Sequence, residues 1–372
     1  MIVWRCSSVF LLGVIACGAG FDVPIPDSEG DSRDGQVDAA ATIDGPGYEA
    51  SCAPESETPV TCTATTTTVL TSGYYPQVDQ VAVDNAYVYF DALGVWRVSK
   101  TGGTPSLVAS PTEQGWPVTD VFTLDDVYVS WLTYTLGTAT TSPLTTVMRA
   151  PKQGCAAGTL TALSGPFSNG LTLVPSSDDL YVYSGGDGPA PAFYRVSALG
   201  AVITLPPTPW LVMSLAQSDD GVIYATTELV IYRLDGTSYV PFVSSNDYHV
   251  QFAGPLRFDA NNVYFITYDP FDDAASIAAV PKAGGPTTII ASAAGTLGFG
   301  DFTLDGAGHI YATQREPNNV LRINVDGSGA TIVGSGTSEE QGIGVAVDDV
   351  CVYWGSSGGV DDYANHVYAA PK

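Results

Sequence analysis

The ten residues "VAVDNAYVYF" at 81–90 return near the other end of the chain as "VAVDDVCVYW" at 345–354. They are two of seven copies of one pattern, an Asp followed after a few residues by an aliphatic residue and usually Tyr. The copies are "DNAYVYF" from Asp84, "DDVYVSW" from Asp125, "DDLYVY" from Asp178, "DDGVIYA" from Asp219, "DANNVYF" from Asp259, "DGAGHIYA" from Asp305 and "DDVCVYW" from Asp348. Recurrence of this kind narrows the accessible folds sharply, because a unit too small to bury its own apolar face must stack on the next one.

Successive aspartates stand 40 to 53 residues apart, close to the roughly 40 to 45 of a four-stranded propeller blade. Each follows an aliphatic segment such as "VAV", "FTL" or "LRF", which places it in the turn between two alternating strands. These aspartates are therefore read as turn formers rather than catalysts. A third strand ends each copy, as in "VWRVSKTGG", "VMRAPKQG" and "IAAVPKAGG", with glycines suited to tight hairpins. A fourth follows in six copies ("TPSLVAS", "LTALSG", "AVITLPP", "YVPFVSS", "TTIIAS", "ATIVGSG") but not in the seventh. That would leave an open edge, and the missing strand is supplied by "TTTTVLTSG" at 65–73. The expectation is an all-β, seven-bladed β-propeller over residues 64–372, its ring closed by an N-terminal strand completing the C-terminal blade.

The segment "LDGAGHIYATQREPNNVLRINVDGSGATIVGSG" at 304–336 and "VYWG" from Val352 carry a family likeness. They resemble secreted bacterial β-propellers with NHL-like or YWTD-like repeats, over residues 65–372. The likeness implies the fold; YWTD propellers have six blades, so a receptor function does not carry over to seven. At the level of the repeat the chain also resembles virginiamycin-lyase-type propellers, whose catalytic pattern finds no counterpart here.

The first twenty residues, "MIVWRCSSVFLLGVIACGAG", have the layout of an export signal, with a head bearing Arg5, an apolar run and then small residues. Val14-Ile15-Ala16-Cys17 resembles the bacterial lipobox. This implies a signal peptide over 1–16, a lipid on Cys17, and an outer-membrane or otherwise secreted cell-envelope location; plain secretion with cleavage after Gly20 is the alternative. Residues 17–63, rich in Asp, Gly, Pro, Ser and Ala, read as a flexible acidic tether. The four remaining cysteines allow three pairings; Cys52 and Cys62 are the local candidates for a disulfide, and the state of Cys155 and Cys351, in different repeats, stays open between free and paired.

With 13 Lys and Arg against 39 Asp and Glu, the net charge is -26, which disfavours nucleic acid and anionic lipid as partners. No nucleophile elbow, zinc-protease helix or phosphate loop is present. The connections between blades, with those joining second to third strands, gather aromatics and carboxylates that suit a sugar ring, a cationic group or a basic peptide. Trp116, Trp210, Tyr248, Asp272 and Asp361 are the candidates there. At the channel entrance Asp79, Asp120 and Asp301 form a carboxylate ring able to hold a hydrated calcium ion, the one cofactor considered. Arg257 stands where other copies have Ala or Thr, and a guanidinium buried there needs a partner, for which Asp301 is the first choice. His249 and His366 fall near the same face but lack an evident orienting group. The reading is a monomeric, non-catalytic binding or scaffolding module for a protein, peptide or glycan; the alternative is an envelope lyase or hydrolase with its site at the channel mouth.

Overall fold

A computed structural model describes residues 66–372, apart from 75–77, 93, 110–121, 136–143, 153–160, 169, 176–178, 185–191, 198–199, 207–211, 213, 246–250, 270–273, 295–297, 339 and 359–363. Every described strand belongs to one of seven four-stranded antiparallel sheets. Blade 1 holds β2 (Val81–Val83), β3 (Tyr87–Asp91), β4 (Val95–Ser99) and β5 (Ser106–Ala109), and blade 2 holds β6 (Phe122–Leu124), β7 (Tyr128–Thr135), β8 (Leu144–Pro151) and β9 (Thr161–Ser168). Blade 3 follows with β10 (Gly170–Pro175), β11 (Asp179–Ser184), β12 (Ala192–Ser197) and β13 (Val202–Thr204), and blade 4 with β14 (Ser214–Gln217), β15 (Ile223–Thr226), β16 (Val230–Asp235) and β17 (Ser238–Ser244). Blade 5 is β18 (Gln251–Phe258), β19 (Asn262–Asp269), β20 (Ala274–Pro281) and β21 (Thr288–Ala294). Blade 6 is β22 (Phe299–Leu304), β23 (His309–Gln314), β24 (Asn319–Asn324) and β25 (Ala330–Ser335).

Blade 7 combines β26 (Glu340–Val347), β27 (Cys351–Gly358) and β28 (Ala364–Pro371) with β1 (Thr68–Tyr74), in the order β1-β28-β27-β26. Thr68 pairs with Ala369, Val69 with Tyr368 and Thr71 with Val367. The chain is thus a seven-bladed β-propeller, closed by its N-terminal strand as the repeat pattern required.

The core is laid down between blades rather than within them. Between blades 7 and 1, Cys351, Tyr353, Val367 and Ala369 pack on Val81, Val88, Phe90 and Val98. Between blades 6 and 7, Tyr311 and Val320 pack on Trp354, Tyr368 and Ala370. Each repeat's apolar face is covered only by its neighbour, which is why a single copy would not be stable alone.

The inner strands of blades 6, 7 and 1 approach backbone to backbone. A Cβ at Gly300 would lie 2.4 Å from the Gly342 carbonyl oxygen, and one at Gly344 would lie 2.8 Å from the Asp79 carbonyl oxygen. The glycines of "GFGDF" and "GIGVAV" are there because a side chain has no room.

Candidate functional site

Antiparallel alternation sorts the connections onto two faces. First-to-second and third-to-fourth strand turns lie on one, the turn face; second-to-third and blade-to-blade connections lie on the other, the loop face.

The turn face is built from the repeated aspartates. Asp84 Oδ1 accepts from the amides of Ala86 and Tyr87, both at 2.9 Å, and Oδ2 accepts the Tyr89 hydroxyl at 2.9 Å. Asp259 and Asp348 repeat this with the Tyr264 and Tyr353 hydroxyls. Asp84 and Asp348, together with Asp305, also receive a lysine from the following blade: Lys152 Nζ reaches Asp84 at 3.4 Å, Lys100 reaches Asp348 at 2.7 Å and Lys372 reaches Asp305 at 3.3 Å. Burial pushes Asp348 up, but Lys100, the amides of Cys351 and Val350 and the Tyr353 hydroxyl outweigh it and hold the carboxyl below its ordinary value. Burial and the Asp348 charge together push the Tyr353 phenol well above its usual range. These lysines close "RVSK", "RAPK" and "AAPK", a recurrence visible in the sequence whose partner depends on the ring order.

Blade 4 departs from the pattern. Ser218 occupies the place of Asp84, its hydroxyl bonding Asp220, and Asp220 Oδ1 accepts the Val222 amide at 3.3 Å. Asp219 lies in the turn between β14 and β15 as expected but is exposed, and the side-chain bonds that organise the turn come from Ser218 and Asp220 beside it. Asp178 lies outside the described residues.

Near the channel, neighbouring blades are tied by side chains at the inner strands. The Gln80 amide accepts from the Phe122 N–H and donates to the Phe122 carbonyl, both at 2.8 Å. In blade 5 Pro255 fills the position of Gln80, and Arg257 supplies the donor instead: its Nε bonds the Phe302 carbonyl at 3.1 Å and its Nη2 lies 3.5 Å from Asp301 Oδ1. Asp301 Oδ1 accepts the Phe302 amide at 2.7 Å, and Oδ2 accepts the Val345 amide at 3.3 Å. One carboxylate thereby joins blades 5, 6 and 7. Burial raises the Asp301 pKa despite Arg257 and the two amides. Both of its oxygens are engaged by protein donors, which makes it a strut before anything else.

Asp79 precedes β2, and its charge acts on Arg315 in the 315–318 connection of blade 6. Burial pulls the Arg315 guanidinium below its ordinary value while Asp79 and Tyr268 oppose that shift, and its Nε has no partner among the described residues. Arg315 had no signal in the sequence beyond its place in a connection. Among the described residues no group of three or more His, Cys, Asp and Glu side chains is placed to hold a metal ion.

His366 does have an orienting group. Its Nδ1 lies 2.5 Å from Glu340 Oε1, and Glu340 Oε2 accepts the Tyr368 hydroxyl at 2.8 Å and the Asn318 amide at 3.5 Å. Burial, with the Glu340 carboxylate beside it, pushes the Tyr368 phenol up to about 12. The imidazole side chain is 18% exposed and the carboxylate 6%. The arrangement orients the imidazole, and the Asn318 bond ties this blade 7 cluster to blade 6.

Trp116, Trp210, Tyr248, Asp272, Asp361, Asp120, Cys17, Cys52, Cys62 and His249 lie outside the described residues. Of the proposed ligand-binding set the structure therefore positions Asp79, Arg257 and Asp301, and it brings the last two together. Cys351, whose pairing the sequence leaves open, is fully buried and disulfide-bonded, to a cysteine outside the described residues.

Comparison with solved structures agrees with this architecture. Virginiamycin B lyase from Staphylococcus aureus, solved as a catalytically inactive histidine-to-alanine form with quinupristin, matches with a TM-score of 0.60 and 12% identity over 82% of this chain and 98% of that one. The WD40 β-propeller domain of Doa1 matches with a TM-score of 0.57 and 13% identity over 81% and 96%. The β-propeller domain of the trilobed protease from Pyrococcus furiosus, described as having an open velcro topology, matches with a TM-score of 0.55 and 9% identity over 80% and 95%. At such identities the likeness establishes the β-propeller class and nothing finer. No protein-family model matches the sequence, and no curated protein is significantly similar to it.

Proposed function

We propose that this propeller is a lipid-anchored cell-envelope module that binds a protein, peptide or glycan through its loop face. The observation that carries the reading is the asymmetry of the two faces. The turn face spends its carboxylates on its own amides, tyrosines and lysines, as Asp84 and Asp348 do. The described strands that border 110–121, 136–143 and 246–250 end on the loop face, and the sequence of those segments contains Trp116 and Tyr248. Aromatic residues interspersed with carboxylates along the sequence are the chemistry of an adaptable contact surface. Propellers serve both purposes among the similar structures, since the WD40 class is one neighbour and a lyase another.

Purified protein immobilised and exposed to a detergent extract of the envelope tests this. The wild type is expected to retain a defined partner that a Trp116→Ala, Trp210→Ala, Tyr248→Ala variant loses. Equal recovery by both would remove the loop face from consideration.

The Glu340–His366 pair favours a second reading, an acid-base enzyme. A carboxylate holding one imidazole nitrogen fixes the tautomer and leaves the other nitrogen for a substrate. The inactivated lyase shows that a propeller can depend on one histidine. If this reading holds, His366→Gln abolishes a turnover that envelope extract can reveal by product analysis, while leaving partner capture intact.

A further inference from the structure

Blade 6 breaks the aspartate pattern on the turn face. Its turn is one residue longer, so that Tyr311 is six positions after Asp305, where Tyr89, Tyr264 and Tyr353 are five after theirs. The extra residue brings in His309, whose Nδ1 takes Asp305 Oδ2 at 3.0 Å, the oxygen the tyrosine uses elsewhere. Tyr311 is left fully buried, its hydroxyl without a hydrogen-bond partner among the described residues. An unsatisfied buried hydroxyl is costly and calls for an explanation.

The same tyrosine lines a depression of about 390 Å³ with Asp305, His309, Arg322, Asp349 and Lys372. Arg322 Nη2 lies 2.7 Å from His309 Nε2. A guanidinium can only donate, so that nitrogen accepts, and the imidazole is neutral with its proton on Nδ1 toward Asp305. Lys372 neutralises Asp305 at 3.3 Å. The Arg322 charge thus faces a neutral partner, in a molecule whose net charge is -26. Elsewhere in the ring the equivalent arginine of blade 2 meets a carboxylate, Arg149 to Asp125 at 2.9 Å. Burial pushes the Tyr311 phenol up to about 12, which keeps it a donor at neutral pH.

From these observations we infer that the depression between blades 6 and 7 on the turn face is a binding site for a carboxylate group, which takes hydrogen bonds from the Tyr311 hydroxyl and the Arg322 guanidinium. A planar carboxylate matches the arginine fork; with Lys372 on Asp305, the other charges lining the depression are Arg322 and Asp349, and Asp349 disfavours a second negative charge on the ligand. The site is independent of the loop-face reading and lies on the opposite side of the ring.

The test is titration of the full chain with acetate, N-acetylglycine and inorganic phosphate by calorimetry and thermal unfolding, against sodium chloride at equal ionic strength. Both carboxylates are expected to bind saturably and raise Tm by mass action. Tyr311→Phe removes only the hydroxyl, so its Tm without carboxylate should be unchanged or higher while affinity falls ~10-fold or more; Arg322→Gln should abolish binding. The assignment is overturned if the carboxylates do no more than chloride, if Tyr311→Phe binds as tightly as the wild type, or if phosphate binds more tightly than either carboxylate.

Discussion

The two faces of this ring are held together by different physics. On the turn face, charges more than a full repeat apart in sequence meet across blade boundaries: Lys100 on Asp348, Lys152 on Asp84, Lys372 on Asp305. Around the channel on the other side, blades are joined by close backbone approach at Gly300 and Gly344 and by single polar side chains, Gln80, Arg257 and Asp301, that satisfy the next strand's backbone. On the turn face Asp84, Asp305 and Asp348 are committed to protein donors; on the loop side the inner ties are joined by the Glu340–His366 pair with its Tyr368 and Asn318 bonds.

The comparison breaks first at Asp348. Replacing it with Ala leaves the Lys100 ammonium, in a residue 6% exposed, without its partner and strips acceptors from Cys351, Val350 and Tyr353. The expected loss is about 3 to 5 kcal/mol, read as a shift in urea midpoint without a change in slope. Adding Lys100→Met should recover about half or more of that loss, because the stranded charge is then gone. A double variant no more stable than Asp348→Ala alone would mean that the aspartate acts only through its turn. The loop-face triple variant at Trp116, Trp210 and Tyr248 should, by contrast, leave the midpoint close to that of the wild type.

Proton linkage separates the two sides by sign. Asp348, Asp305 and Asp259 are held below the ordinary carboxylate value in the folded state, so their contribution is full above the unfolded pKa near 4 and is lost as pH falls through the lower folded values. Asp301 is raised by burial, so its contribution is full below the unfolded value and is lost as pH rises through the folded one. Stability should therefore climb from pH 2.5 to about 4 and decline above it, in part because the net negative charge grows. Asp301→Asn should flatten the decline relative to the wild type and leave the acid limb alone, and Asp348→Asn should do the reverse. Identical profiles for both variants would refute the assignment of opposite signs.

The blades were legible because each is a local event: alternating strands, an Asp turn and a glycine hairpin lie within one repeat, and the strand lacking at one end of the pattern stood at the other. What joins blades was legible only where one residue was out of place, as with Arg257. The lysine locks recur in sequence, yet nothing local says that Lys152 belongs to Asp84 rather than to Asp125 in its own blade. Glu340 and His366 are 26 positions apart and meet only because β26 and β28 bracket β27 in one sheet. The blade 6 site was hidden for a different reason: an insertion of one residue is a trivial edit to a repeat, but in a fully packed turn it reassigns an acceptor and strands a hydroxyl.

The smallest expected effect concerns the blade whose turn departs from the rest. If the turn in blade 4 is organised by Ser218 and Asp220, then Asp219→Ala, at an exposed position, should change stability by less than about 0.5 kcal/mol. Ser218→Ala should cost about 1 kcal/mol, since it removes the hydroxyl whose single proton lies within reach of Asp220 and the Val222 carbonyl. Thermal melts resolve a difference of that size when the two proteins are run side by side. A larger loss at Asp219 than at Ser218 would return the turn to the register its sequence suggests. It would also mean that blade 4 closes on the same aspartate geometry as blades 1, 5 and 7, with the lysine of the next blade, Lys282, then meeting Asp219 rather than Asp220, on which its charge acts in the structure.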